Sequence, residues 1–181
     1  MLGPLEVLVD GRPVKLGGPR ERGALVLLLA QANTVVSASR LVDALWDDEP
    51  PPTAANLVQG HVSHLRRGIG KEAIEKRGGG YALGVDEGAL DLHRFERLAQ
   101  AGSAALANGS PDEAARALRD ALSLWSGSAL ADLTGPASLD ALAGRLEELR
   151  VLATESLLEA ELALGRHADV VAEIDSPVPP R

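Results

Sequence analysis

The sequence contains no cysteine, which removes disulfides and thiolate metal sites from consideration. Aromatic residues are nearly as scarce, at 2% of the chain. Since 45% of the residues are hydrophobic, any core must be built from Leu, Val and Ala. No apolar run approaches the roughly 20 residues needed to span a bilayer, so no membrane partner is expected. The opening MLGPLEVLVDG has no basic segment ahead of a long apolar stretch, so no signal peptide is expected and a cytoplasmic location is.

A chain of 181 residues has room for one large or two small domains. The net charge of −8 argues at first against nucleic acid as a partner, but it is unevenly spread. Residues 1–89 hold ten basic against eleven acidic side chains, and residues 90–181 hold eight against fifteen. Within 54–83 five cations (Arg66, Arg67, Lys71, Lys76, Arg77) face only Glu72 and Glu75. Local field, not total charge, governs docking on phosphates.

The pattern along the chain begins with two apolar runs, 5–9 and 13–16, around Asp10-Gly11-Arg12, a hairpin signal. Pro19 stands where a helix over 20–32 can begin, and its run Leu25 to Ala30 is apolar on every side, as in a buried helix. Ser37 suits the N-cap of a helix over 38–46, with Leu41, Val42, Leu45 and Trp46 on one face. Asp47-Asp48-Glu49 and three prolines end it. Thr53 is expected to cap a third helix that stops at Gly70. There Val58, Val62, Leu65 and Ile69 make one stripe, while Asn56, Gly60, Ser63, His64 and Arg67 lie opposite, with Gln59 and Arg66 on the flanks. Strands at 73–77 and 81–85 around Gly78-Gly79-Gly80 form a second hairpin. After a linker at 86–90 the period is helical, with helices at about 91–107, 111–125, 138–164 and 167–174. The tail 176–181, rich in proline, is expected to be disordered.

Two short helices, a tight connection and a longer helix with a polar outer face make a helix-turn-helix pattern, and a basic hairpin after it makes a wing. On this reading Asn56, Gln59 and His64 face base edges, Ser63 shares their DNA-binding face, Arg66 and Arg67 reach guanine or phosphate, and Lys76 and Arg77 meet the backbone or the minor groove. The same pattern also describes an amphipathic helix with a solvated polar face.

Other signals are weaker. His61 and His64 share a helix face, but no third metal ligand is evident. Gly78-Gly79-Gly80 is followed by no Lys-Ser/Thr, so it is a turn and not a phosphate loop. Asp47-Asp48-Glu49 reads as a solvated helix end, and Trp46 and Trp125 as core residues. The serines near His64 lack an acid partner for a triad. No enzyme, no cofactor and no metal are expected.

The segments LGPLEVLVDGRPVKLGGPRERGALVLLLAQAN, SRLVDALWDDEPPPTAANLVQGHVSHLRR and GGYAL resemble the antibiotic regulatory protein (SARP) family of actinobacterial transcriptional activators, whose front domain is an OmpR-type winged helix. DLHRFERLAQAG, ALSLWSGSALADL and RLEELRVLATESLLEAELALGRH resemble the bacterial transcriptional activation domain that follows there, a bundle of tetratricopeptide-like helices. The resemblance covers about residues 2–174. It implies a mainly α fold with small β-hairpins: a winged helix-turn-helix domain at 1–86, a helical activation domain at 90–175 and a tail at 176–181. The resemblance leads us to expect a second domain shorter than the family's, as in a truncated or cut-down regulator. It also implies binding to double-stranded promoter DNA at direct repeats, self-association on that DNA, contact with RNA polymerase including its sigma factor, and a role in regulating antibiotic biosynthesis.

Carried over, the recognition helix is Thr53 to Ile69, where Asn56, Gln59, His61, Ser63, Arg66 and Arg67 match the family's pattern. Gly60 departs from it, standing where a larger apolar residue is usual, and His64 stands where an arginine is usual. A glycine within a helix costs ~1 kcal/mol against alanine. The rival reading is a protein-interaction module: the acidic helical half binds a basic partner surface and the front domain has little DNA affinity.

Overall fold

The computed structural model describes residues 1–86 and 88–166. The helix expected at 167–174 and the tail at 176–181 lie outside the described residues. The chain divides into two units, one of residues 1–90 with 126–146, the other of 91–125 with 147 onward.

The first unit is a winged helix. β1 (Leu8–Val9) and β2 (Arg12–Pro13) form the opening hairpin. α1 (Pro19–Leu29) follows, with Pro19 in its first turn and Ala24, Leu25, Val26 and Leu28 buried. The short strand β3 (Val36–Ser37) was not expected from the sequence, because two residues carry no alternation to read. Its hydrogen-bonding edge is completed by the later hairpin. α2 (Ala38–Trp46) is capped by Ser37, whose Oγ accepts the Arg40 N–H at 3.1 Å. α3 (Ala54–Ile69) buries Val58, Val62 and Leu65 and ends at Gly70, φ 109°.

Thr53 stands at the N-cap of α3 but its side chain makes no capping bond. Its backbone, at φ −97° and ψ 7°, lies outside the extended region a side-chain cap needs. The first turn is satisfied by main chain instead: Ala54 N–H donates to Pro51 O at 2.9 Å and Leu57 N–H to Thr53 O at 3.0 Å.

β4 (Ile74–Arg77) and β5 (Gly80–Leu83) form the second hairpin, and β5 lies between β3 and β4 in an antiparallel sheet. Gly78 and Gly79 both have positive φ, 50° and 81°, as a two-residue hairpin turn requires. Gly80 has a different task. A Cβ there would lie 2.3 Å from Val36 O, so only glycine lets β3 pair with β5.

Residues 126–146 complete this unit. Ser126 N–H donates to Leu2 O, and Asp132 accepts the Leu5 N–H at 2.8 Å and pairs with Arg22. Ser138 Oγ donates to Ala44 O, and the Asp47 carboxylate accepts the Ala137 N–H at 3.2 Å, capping the start of α6 (Ala137–Ala163).

The second unit is helical. α4 (Asp91–Ala107) and α5 (Pro111–Leu122) pack as a hairpin turned at Asn108-Gly109-Ser110. α5 ends at Leu122, short of the expected 125. Glu161 of α6, nearly fully buried, pairs with Arg119 of α5 and with Arg166. Trp125 is half-buried, edge-on to Phe95 at 5.4 Å, while Trp46 is buried in the first unit. Among the described residues no helix is long and apolar enough to cross a membrane.

Candidate nucleic-acid interface

Helical geometry sorts α3 into two stripes. Val58, Val62, Leu65 and Ile69 repeat at i, i+4, i+7 and i+11; the first three are buried and Ile69 is half-buried. Asn56, Gly60, Ser63 and Arg67 repeat the same spacing on the opposite side, and all four are exposed. His64 is exposed on the same outer side, Gln59 is exposed on a flank, and Arg66 is half-buried. On the wing, Lys76 and Arg77 are exposed beside the glycine turn.

These side chains are not equally free. Arg66 Nε donates to Ile74 O at 2.8 Å and ties α3 to β4. Ser63 Oγ donates back to Gln59 O at 2.8 Å, folding down onto its own helix. Arg77 Nε donates to Glu75 Oε2 at 2.7 Å. Among the described residues no partner engages the side chains of Asn56, Gln59, Arg67 or Lys76.

His64 is held from below. Its Nδ1 lies 2.7 Å from Oε1 of Glu21, which also accepts the Gly17 N–H at 2.9 Å. Glu21 is more than nine-tenths buried. A carboxylate only accepts, so Nδ1 carries a proton and Nε2 is the nitrogen left for other partners. Next to it Trp46 has one cationic and one aromatic neighbour. The Arg20 guanidinium sits 5.3 Å from its ring centroid and His61 stacks on it at 6.4 Å, with planes 22° apart. Burial pushes the His61 imidazole below its ordinary pKa; Glu21 opposes that shift, while Arg20 and His64 add to it. These contacts lock α1, α2 and α3 together and fix the outward stripe. Among the described residues no group of three or more His, Asp or Glu side chains is placed to hold a metal ion.

A family model described as the transcriptional regulatory protein, C terminal, matches residues 11–83, and one described as the bacterial transcriptional activator domain matches 90–179. The regulatory protein DnrI of Streptomyces peucetius is 36% identical over 187 residues, covering 97% of this chain and 69% of DnrI. The chain belongs to the antibiotic regulatory protein (SARP) family. Further relatives are the transcriptional regulatory protein EmbR of Mycobacterium tuberculosis, 36% identical across 97% of this chain and 47% of EmbR, and the regulatory protein AfsR of Streptomyces coelicolor, 38% identical across 96% of this chain and 18% of AfsR. A solved structure of M. tuberculosis EmbR in complex with a low affinity phosphopeptide superposes with a TM-score of 0.89 at 35% identity, over 96% of this chain and 48% of EmbR. The chain thus spans about two thirds of DnrI, half of EmbR and a fifth of AfsR. Its fold, a winged helix followed by a helical activator domain, is that of this SARP family of transcriptional regulators.

Sequence patterns did not point to Glu21, Arg20 or Trp46 as supports for the outward stripe. Glu21 looks like any acid in a first helical turn; only its burial reveals its task. Trp46 stood out as core, but its stacking on His61 depends on tertiary placement.

Proposed function

We propose that this transcriptional regulator recognises promoter DNA by inserting α3 into the major groove and laying the β4–β5 wing along the adjacent backbone. The observation that carries the reading is the outward stripe of α3, polar and open, backed by a buried apolar stripe that leaves it rigid. Asn56 and Gln59 suit adenine edges, Ser63 and His64 the flanking bases, and Arg66 and Arg67 guanine or phosphate. Lys76 and Arg77 suit phosphate, which positions without specifying. Membership of the SARP family supports the same conclusion and adds its consequences: activation, direct-repeat sites, self-association on DNA, and contact with RNA polymerase and its sigma factor. For that contact, α6 offers exposed Val151, Leu152 and Leu162 beside exposed Glu148, Glu155 and Glu159, an apolar and acidic surface suited to a protein partner.

The test is titration of a duplex selected from a random pool, repeated at several salt concentrations. Wild type is expected to bind with an affinity that falls steeply as salt rises. Arg67→Ala is expected to weaken binding about tenfold, the order of one good base contact, while the thermal midpoint stays put. Binding unchanged within twofold would remove α3 from the groove. Binding absent at low salt would favour the helical unit as a protein-interaction module.

A further inference from the structure

Gly60 sits in the middle of the outward stripe, and the fold gives no reason for a glycine there. It lies inside a regular helix, not at a positive φ, and a Cβ built on it would meet nothing within 4 Å. A glycine inside a helix costs the fold about 1 kcal/mol against alanine and leaves open space where a side chain would stand. Its surroundings widen the gap. Ser63 is folded back onto the Gln59 carbonyl, and His64 is drawn aside by the buried Glu21. What projects on this stripe is Asn56 at one end and Arg67 at the other. Eleven residues of helix separate them by about 16 Å along the axis, or about five base-pair steps at 3.4 Å. Gln59, Ser63 and His64 border this gap, but at residue 60 itself the helix presents bare backbone.

We propose that Gly60 is a specificity-determining position: the notch between Asn56 and Arg67 receives the 5-methyl group of a thymine at the centre of the half-site. This rests on α3 reading the major groove. The chemistry follows from what the notch offers. Residue 60 contributes no side-chain donor or acceptor, so it cannot itself select a base by hydrogen bonds. The notch is shallow and apolar at Cα, and the one apolar group that protrudes into the major groove is the thymine methyl. A larger side chain at 60 would fill that space and hold the helix off the base edges, so Asn56 and Arg67 would lose reach together.

The experiment uses the full chain and a duplex selected from a random pool, in which thymines within the half-site are replaced one at a time by deoxyuridine, which lacks only the methyl. For wild type, one central replacement is expected to weaken binding about fourfold, the weight of one methyl removed from water. Gly60→Ala is expected to raise the thermal midpoint by about 2–4 °C, showing that it folds. It should weaken binding to the selected duplex at least tenfold and bind thymine and deoxyuridine duplexes alike. If Gly60→Ala binds as wild type and keeps the same thymine preference while Arg67→Ala weakens binding, the notch is wrong and the groove assignment of α3 stands. If neither substitution changes binding, both fall.

Discussion

Asp132 lies far in sequence from the winged helix it supports, and its removal tests whether residues 126–146 belong to that unit physically. Its Oδ1 accepts the Leu5 N–H at 2.8 Å, and its Oδ2 pairs with Arg22. Leu5 is 6% exposed, so its N–H has no ready access to water once the carboxylate is gone. Losing a hydrogen bond to a charged acceptor costs ~1.5–3 kcal/mol. The ion pair with Arg22 adds little by itself, because both side chains keep about a quarter to a third of their surface in water and such pairs contribute ~0–1 kcal/mol. Asp132→Ala should therefore destabilise the chain by about 2 kcal/mol, lowering the thermal midpoint by about 4–8 °C for a chain of this size. Asp132→Asn keeps an acceptor for Leu5 but loses the charge, and should fall between the two. The assay is thermal unfolding followed by circular dichroism, with DNA binding measured well below the transition, where the variants should match wild type. A shift under 1 °C for Asp132→Ala would mean that 126–146 merely lies against the winged helix without supporting it.

Three other outcomes are expected. Replacing Lys76 and Arg77 with Gln should weaken binding to all sequences about equally and flatten the salt slope by about 1–2 units, since each phosphate contact adds ~0.9; altered sequence preference at constant slope would refute phosphate contact. The depressed pKa of His61 means that the unfolded chain takes up a proton before the folded one does. Its contribution to stability should be intact above pH ~6.5 and be lost as pH falls through the lower folded value; denaturant unfolding at pH 7 and 5 should show a smaller loss for His61→Gln than for wild type, and equal losses would refute the assignment. One chain should bind a single half-site weakly and two chains a direct repeat cooperatively, with half-sites ~10–11 base pairs apart. Adding five base pairs should abolish the cooperativity, and undiminished affinity would refute it.

Much of the first unit was legible because its boundaries are set by local chemistry. Ser37 caps α2 at the expected residue, Gly70 stops α3, and Gly78-Gly79 turn the wing. The two α3 stripes follow from helical spacing alone. What stayed hidden depends on partners distant in sequence. β3 exists because Gly80 lets β5 approach Val36, which two residues cannot announce. Asp132 and Ser138 join partners 127 and 94 residues away, and neither lies in a pattern of its own. Thr53 shows the opposite failure: residue type suited a cap, but the turn after Pro51 set its backbone outside the conformation in which the side chain can serve.

The same hidden contacts change how the basic surface should be counted. Five cations between 54 and 83 suggest a strong attraction to phosphate, but two of them also have partners within the fold. Arg66 closes on the Ile74 carbonyl and Arg77 on Glu75. His64 is tied to the buried Glu21 carboxylate through Nδ1. That leaves Arg67, Lys71 and Lys76 as cations without a partner among the described residues. Phosphate contacts from these three alone would give a salt slope near 3, and from all five about 4–5, shallow for a regulator that must find one site among many. On the proposed reading, a surface this sparse favours the wrong sites little and places the burden of affinity on geometry: the reach of Asn56 and Arg67 along α3 and, in the proposed pairing of protomers on one duplex, an effective concentration raised without adding a charge.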